Sequence, residues 1–179
     1  MTAVANAVWT AAEFNTHVRD NLLETEANKA ATAGGMFIAT GANAIAERNY
    51  GKHTVDAVGT RATTTYGDAT AGDLTVGPTV TVTTGTMALV IVTAAIGSST
   101  TTGGALASFA VSGASTVAAA DQYAIGEAEQ EDASSWFSAS RYTMLTSLTA
   151  GSNTFTMKYR TVSAGTASFF WRTISVIAF

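Results

Sequence analysis

The sequence predicts a mainly β protein. It reads as an antiparallel, jelly-roll-like β-sandwich preceded by an N-terminal α-helix and an extended linker. Three observations carry that reading. From about Leu74 onward, apolar and small polar residues alternate with a period of two. Before Gly34 the apolar residues instead recur at helical spacing. Charge also shifts along the chain: five of the nine Lys and Arg residues lie in the first 61 positions, and the tract from Leu74 to Ala120 has no charge at all. These signals divide the chain into a helical docking arm (1–33), a linker with short strands (34–73) and the sandwich (74–179).

In the arm, Thr10 and Glu13 have capping-box spacing, with Trp9 and Phe14 at the flanking hydrophobic-staple positions. Phe14, Val18 and Leu22 then recur every four residues on one face, and Leu23 widens the stripe. Gly34 and Gly35 stop the helix. Such a narrow stripe needs something to lie on. Trp9, Phe14, Val18 and Leu22 are the candidate docking face.

In the linker, Met36-Phe37-Ile38 is a short candidate strand, and Gly51, Gly59, Gly67 and Gly72 punctuate a connector. In the sandwich, Val80 and Val82 alternate with threonines, and Pro78 marks a strand start or an edge. Thr86–Ala95 is apolar on both faces, as expected of a strand with cover on both sides. Leu106–Ser112 is closed by Gly113, and Trp136–Leu148 is long enough for one bent strand or two. Phe155, Met157 and Tyr159 face one way in Thr154–Thr161, while Thr154, Thr156, Lys158 and Arg160 face the other. The last run, Thr166–Phe179, places Phe169, Trp171 and Ile177 on one face and Phe170, Ile174 and Val176 on the other, and is expected to be central in its sheet. Sandwich packing covers one side of these two-sided strands. The other side is expected to meet the helix, the linker or a threefold neighbour, with Phe155, Tyr159, Phe169 and Trp171 as oligomer-interface candidates.

Composition excludes several classes. Of 179 residues, 47% are hydrophobic and only 12% charged, against a usual charged share of about 25%. Low surface charge points to surfaces covered by partners. The absence of cysteine rules out disulfides, Cys-ligated zinc and cysteine nucleophiles. A net charge of −4 argues against a phosphate-neutralising nucleic-acid binder. The apolar run Met87–Val92, with a small-residue tail to Ile96, is far too short to span a bilayer, and no basic residue precedes Arg19 to make a signal peptide's positive region.

Catalytic patterns are sparse, and no enzyme or cofactor is expected. His17 reads as a solvated helix residue, His53 has no ligand spacing, and no nucleophile-elbow, phosphate-loop or zinc-protease motif occurs. Glu127, Glu129, Glu131 and Asp132 form an acidic cluster without EF-hand spacing, read as a solvated loop in preference to a cation site. Lys158 and Arg160 share a strand face, read as a solvent face or subunit contact in preference to an anion or glycan site.

Three segments together resemble structural proteins of tailed bacteriophages. Trp9 to Leu22 (WTAAEFNTHVRDNL) resembles an N-terminal segment of such proteins, and Ala39 to Arg48 (ATGANAIAER) resembles a linker of phage fibres and tail appendages. Leu148–Arg160 with Thr166–Phe169 is similar to the last hairpin of jelly-roll modules like those of C1q and tumour necrosis factor, found in phage fibres and head-decoration proteins. The resemblance implies a trimeric virion structural protein and carries no catalytic residues over. Asn49-Tyr50 stands where the linker motif usually has proline, and no repetitive shaft separates arm from β domain. The missing shaft favours a capsid decoration or short head-fibre protein that docks on the major capsid protein or another virion protein. The alternative is a tail-fibre or tail-tip adhesin that binds a host glycan through Ser98–Gly104 and Asp121–Ser135.

Overall fold

The computed structural model describes residues 8, 10–16, 31–42, 44–70, 77–101, 103–129, 132–133, 135–163 and 165–179. They fall into two compact units, divided between Arg48 and Asn49.

In the first unit the helix begins where the capping box puts it. Helix α1 spans Ala11–Phe14, the Thr10 hydroxyl accepts from the Glu13 amide at 3.2 Å, and the Glu13 carboxylate accepts from the Thr10 amide at 2.9 Å. Trp9, His17, Val18 and Leu22 lie outside the described residues. Strands β1 (Met36–Gly41) and β2 (Ala44–Arg48) form an antiparallel hairpin. The Glu47 carboxylate accepts from the amides of Ala31 (2.6 Å) and Thr32 (2.8 Å), tying the chain ahead of β1 to β2.

The second unit is an antiparallel sandwich of two sheets. Its strands are β3 (Tyr50–Val55), β4 (Gly59–Arg61), β5 (Thr79–Thr84), β6 (Ala88–Ser98), β7 (Ala105–Gly113), β8 (Ile125–Glu127), β9 (Phe137–Leu145), β10 (Gly151–Thr161) and β11 (Ala167–Ala178). One sheet has the order β5-β10-β7-β8; the other has β3-β11-β6-β9, with β4 also paired to β11. Most successive strands change sheet: β4 to β5, β5 to β6, β6 to β7, β8 to β9, β9 to β10 and β10 to β11. Four-stranded faces linked by such crossings are a jelly roll.

Alternation builds the core. Val80, Val82, Phe109, Val111, Phe155, Met157 and Tyr159 point inward from one sheet; Val90, Val92, Ile96, Phe169, Ile174 and Val176 meet them from the other, all nearly or fully buried. The strand expected around Val80 and Val82 is present at 79–84, those expected at Thr86–Ala95, Leu106–Ser112, Thr154–Thr161 and Thr166–Phe179 are present at 88–98, 105–113, 151–161 and 167–178, and 137–145 is a single strand. Strand β5 is an edge beginning just after Pro78, where a missing amide costs no ladder bond. Strand β11 is central, between β3 and β6.

Three readings are corrected. The linker does not run to residue 73: β3 and β4 pair with β11 as part of the sandwich. Edge strands with one wet face need few apolar residues, so Tyr-Gly-Lys-His-Thr-Val shows no hydrophobic period. Next, β10 and β11 are not a hairpin, since they belong to opposite sheets and the turn at 162–166 is a crossing. Finally, β11 does not keep one parity. Its register to β6 shifts between Phe170 and Thr173, and Trp171 has φ +48°. This bulge turns Phe169 inward, then Arg172, Ile174 and Val176 inward, leaving Thr173, Ser175 and Ile177 outward.

Candidate functional site

The outward face of the β3-β11-β6-β9 sheet carries three rows of side chains, aligned by strand register. The first is Tyr50, Ile177, Leu89 and Met144; the second is Lys52, Ser175, Ile91 and Tyr142; the third is Thr54, Thr173, Thr93 and Ser140. Tyr142 is 75% exposed, Tyr50 61% and Met144 47%, while Leu89, Ile91 and Ile177 are half-buried among them. Six apolar or aromatic side chains thus adjoin in the first two rows. The third row is polar and self-satisfied: Thr54 with Thr173 and Thr93 with Ser140 share hydroxyl hydrogen bonds of 2.9 Å. The sequence flagged the need for cover on β6 and β11 but not these residues, because Tyr50 and Tyr142 sit in strands with little apolar period.

Three of the four interface candidates are corrected here. Phe155, Tyr159 and Phe169 are each fully buried inside the sandwich. Their strand faces are the inner ones, so a second copy does not reach them. Trp171 is 57% exposed. Of the docking candidates, Phe14 is described, and it is 52% exposed.

Beyond the polar row, the β11 bulge builds an aromatic cleft. Phe170 and Trp171 project side by side with ring centroids 4.2 Å apart, and Trp136, just before β9, meets Phe170 edge-on at 6.3 Å. Holding a tryptophan at positive φ costs about 1–2 kcal/mol. Val58 and Ala95 complete a cleft of about 430 Å³. A smaller hollow of about 100 Å³ shares Trp136 and is lined otherwise by Gly97, Ser98, Ser99 and Ser168. Glycine is required at 97, because a Cβ there would lie 2.8 Å from the Ser135 carbonyl oxygen and 3.2 Å from the Trp136 ring.

The other sheet's outward basic residues are paired. Lys158 Nζ lies 2.7 Å from Asp68 Oδ1. Arg160 donates to both Asp121 oxygens, at 3.1 and 2.8 Å, and stacks over Tyr66, whose hydroxyl donates to Asp121 at 2.8 Å. These bonds, Arg160 first and Tyr66 second, hold the Asp121 carboxyl below the usual carboxylate range. Burial, followed by the bond to Asp121, pushes the Tyr66 phenol up. With their charges engaged locally, Lys158 and Arg160 act as clasps from β10 to the loops at 66–68 and 121–123.

Arg172 is the unusual core residue, only 1% exposed. Its Nη2 donates to the Ala57 carbonyl at 3.0 Å and its guanidinium stacks over Tyr159, but among the described residues Nε, Nη1 and the Tyr159 hydroxyl have no hydrogen-bond partner. The bulge explains its position: the same shift that frees Trp171 turns Arg172 inward.

His53 accepts from the Thr79 amide at 2.9 Å, linking the β3 and β5 edges. Glu129 and Asp132 are exposed, Glu127 is half-buried on β8, and Glu131 lies outside the described residues. Among the described residues, no group of three or more His, Asp or Glu side chains is placed to hold a metal ion. No described helix is long and apolar enough to cross a membrane.

No protein-family model and no curated protein matches the chain. Among solved structures it is similar to that of Eiger TNF from S. frugiperda, with 12% identity and a TM-score of 0.49 over 74% of this chain and 92% of that one.

Proposed function

We propose that this chain is a non-enzymatic structural protein of a tailed-phage virion, a capsid decoration or short head-fibre protein. Its sandwich assembles as a homotrimer through the outward face of the β3-β11-β6-β9 sheet. The observation that carries self-association is the pair of apolar rows centred on Leu89, Ile91 and Ile177. An apolar patch on a chain of low charge is a place for a partner. A head-to-tail contact that closes after three copies sets the patch of each copy against a second low-charge surface of the next and buries every patch. The phage reading rests on the likeness of residues 9–22 and 39–48 to virion proteins. In it, the capped arm, with Phe14 exposed, docks on a capsid or other virion protein. Its mechanism is association energy alone: about 25 cal/mol per Å² of apolar surface buried, less the entropy of association.

Two measurements test the proposal. Sedimentation equilibrium at micromolar concentration is expected to give three times the chain mass, and a monomer would refute the assembly. The full chain and a variant lacking residues 1–33 are then added to undecorated particles. Only the full chain is expected to bind, and undiminished binding of the truncated form would sink the docking arm.

A further inference from the structure

We propose that the cleft of Trp136, Phe170 and Trp171 binds a neutral hexopyranose unit of a glycan. The inference goes beyond the assembly proposed above and does not depend on it.

The cleft is built, not incidental. A β-bulge is needed to bring Phe170 and Trp171 to the surface together, and Trp171 is held at φ +48° to do so. Bulges and strained residues of this kind gather at functional sites, where they re-aim side chains. Trp136 is positioned by the glycine at 97, whose missing Cβ lets the indole lie close to β6. Trp136 and Trp171 remain 48% and 57% exposed. Rigid aromatic faces therefore stand ready before any ligand arrives.

The lining defines the ligand. The aromatic cleft, about 430 Å³, supplies apolar faces, within the roughly 300–1,000 Å³ of small-molecule sites. Next to it, across Trp136, the smaller hollow supplies the hydroxyls of Ser99 and Ser168. The Ser99 hydroxyl already accepts from the Thr166 amide at 2.9 Å, which fixes its position and leaves its own proton to donate. Among the described residues, no ionisable side chain lines either hollow. A ligand matched to both must be uncharged, must have a flat apolar face of C–H groups for the rings, and must carry hydroxyls at its edge. A pyranose has that combination. An anionic sugar or phosphate finds no cation there. The polar row of Thr54, Thr173, Thr93 and Ser140 separates the cleft from the apolar rows, so it is not an extension of the self-association face.

The test uses the full chain and tryptophan fluorescence. The probes are the methyl α- and β-pyranosides of glucose, galactose and mannose, with their β- and α-linked oligomers, and sorbitol as the acyclic control. At least one pyranoside or oligomer is expected to give a saturable change that sorbitol does not. Calorimetry with that sugar is expected to show binding weakened about tenfold or more in Trp171→Ala and in Trp136→Ala. Ser152→Ala, on the exposed face of the opposite sheet, is expected to bind as the parent does. Melting temperature and sedimentation of both tryptophan variants are expected to match the parent. Absence of saturable binding across the panel, equal response to sorbitol, or undiminished binding by both variants would overturn the proposal. So would a change in oligomer mass in Trp171→Ala, which would make the cleft a subunit contact.

Discussion

Replacing Ile91 with lysine is expected to dissociate the trimer and leave the sandwich folded. Ile91 sits in the second outward row, between Ser175 and Tyr142 and next to Leu89's row. Fully burying an isoleucine side chain is worth about 1.5–3 kcal/mol. In the single chain Ile91 is already half-buried, so closing an interface over it adds about 1 kcal/mol per copy, or about 3 kcal/mol for three. Lysine forfeits that and must also desolvate an ammonium, at several kcal/mol per ion. Lys52, in the same row, adds a like charge. The association constant should fall by at least about a hundredfold. In the isolated sandwich Ile91 is half-buried on the outward face and the lysine stem keeps part of its contacts, so the fold itself should lose about 1 kcal/mol or less. Sedimentation velocity over a concentration series, with a thermal melt of the same samples, separates the two effects. Ser152→Lys, on the exposed face of the opposite sheet, is the control and should leave the mass unchanged. A variant that keeps the parent mass would refute the interface. Loss of both the oligomer and the cooperative melt would show that Ile91 supports the fold itself.

Asn153→Leu should cost about 2–4 kcal/mol in denaturant unfolding, because Asn153 donates to Thr84 (2.8 Å) and the Thr149 carbonyl (3.0 Å) and accepts from the Ser115 amide (2.7 Å). A loss below about 0.5 kcal/mol would mean that water replaces it. Arg172→Met should be neutral or stabilising by up to about 2 kcal/mol, since the guanidinium is buried with two nitrogens that have no hydrogen-bond partner among the described residues. Clear destabilisation in a thermal melt would show that the charge is compensated. Asp121→Asn should lower the melting temperature at neutral pH and make no difference in strong acid. The folded Asp121 carboxyl titrates below its ordinary value, so its contribution is complete above the unfolded pKa and disappears as pH falls through the folded one. A gap that persists at about pH 2 would assign the effect to something other than the carboxylate charge.

Much of the sandwich was legible because alternation is a local signal. Val80 and Val82, or Phe155, Met157 and Tyr159, state their inward face in a few residues. Strand β3 was not legible, since Gly51, Lys52 and Thr54 become a strand only through the ladder that β11 offers. The bulge was not legible either. Nothing in Phe-Phe-Trp-Arg-Thr announces a parity change, and the faces assigned to Trp171 and Ile177 inherited that error. The site suffered most, because it depends on which face is outward. Phe155, Met157, Tyr159 and Phe169 belong to the core, and the exposed rows gather residues from four strands that only register brings together. The excess of apolar positions in β6 and β11 was the one sequence sign of a second surface.

Sheet order has a further consequence, for the path of folding. The middle of the β3-β11-β6-β9 sheet is β11, the last strand in sequence, while its partner β3 is the first strand of the sandwich. Until residues 167–178 arrive, β3 and β4 have no ladder, and β6 shows a bare edge on the side that β11 fills. Contacts this distant in sequence slow folding, and open edges invite pairing between chains. A fragment that stops short of β11 is therefore expected to aggregate, not to form a smaller jelly roll, and commitment to the native state waits on the final strand.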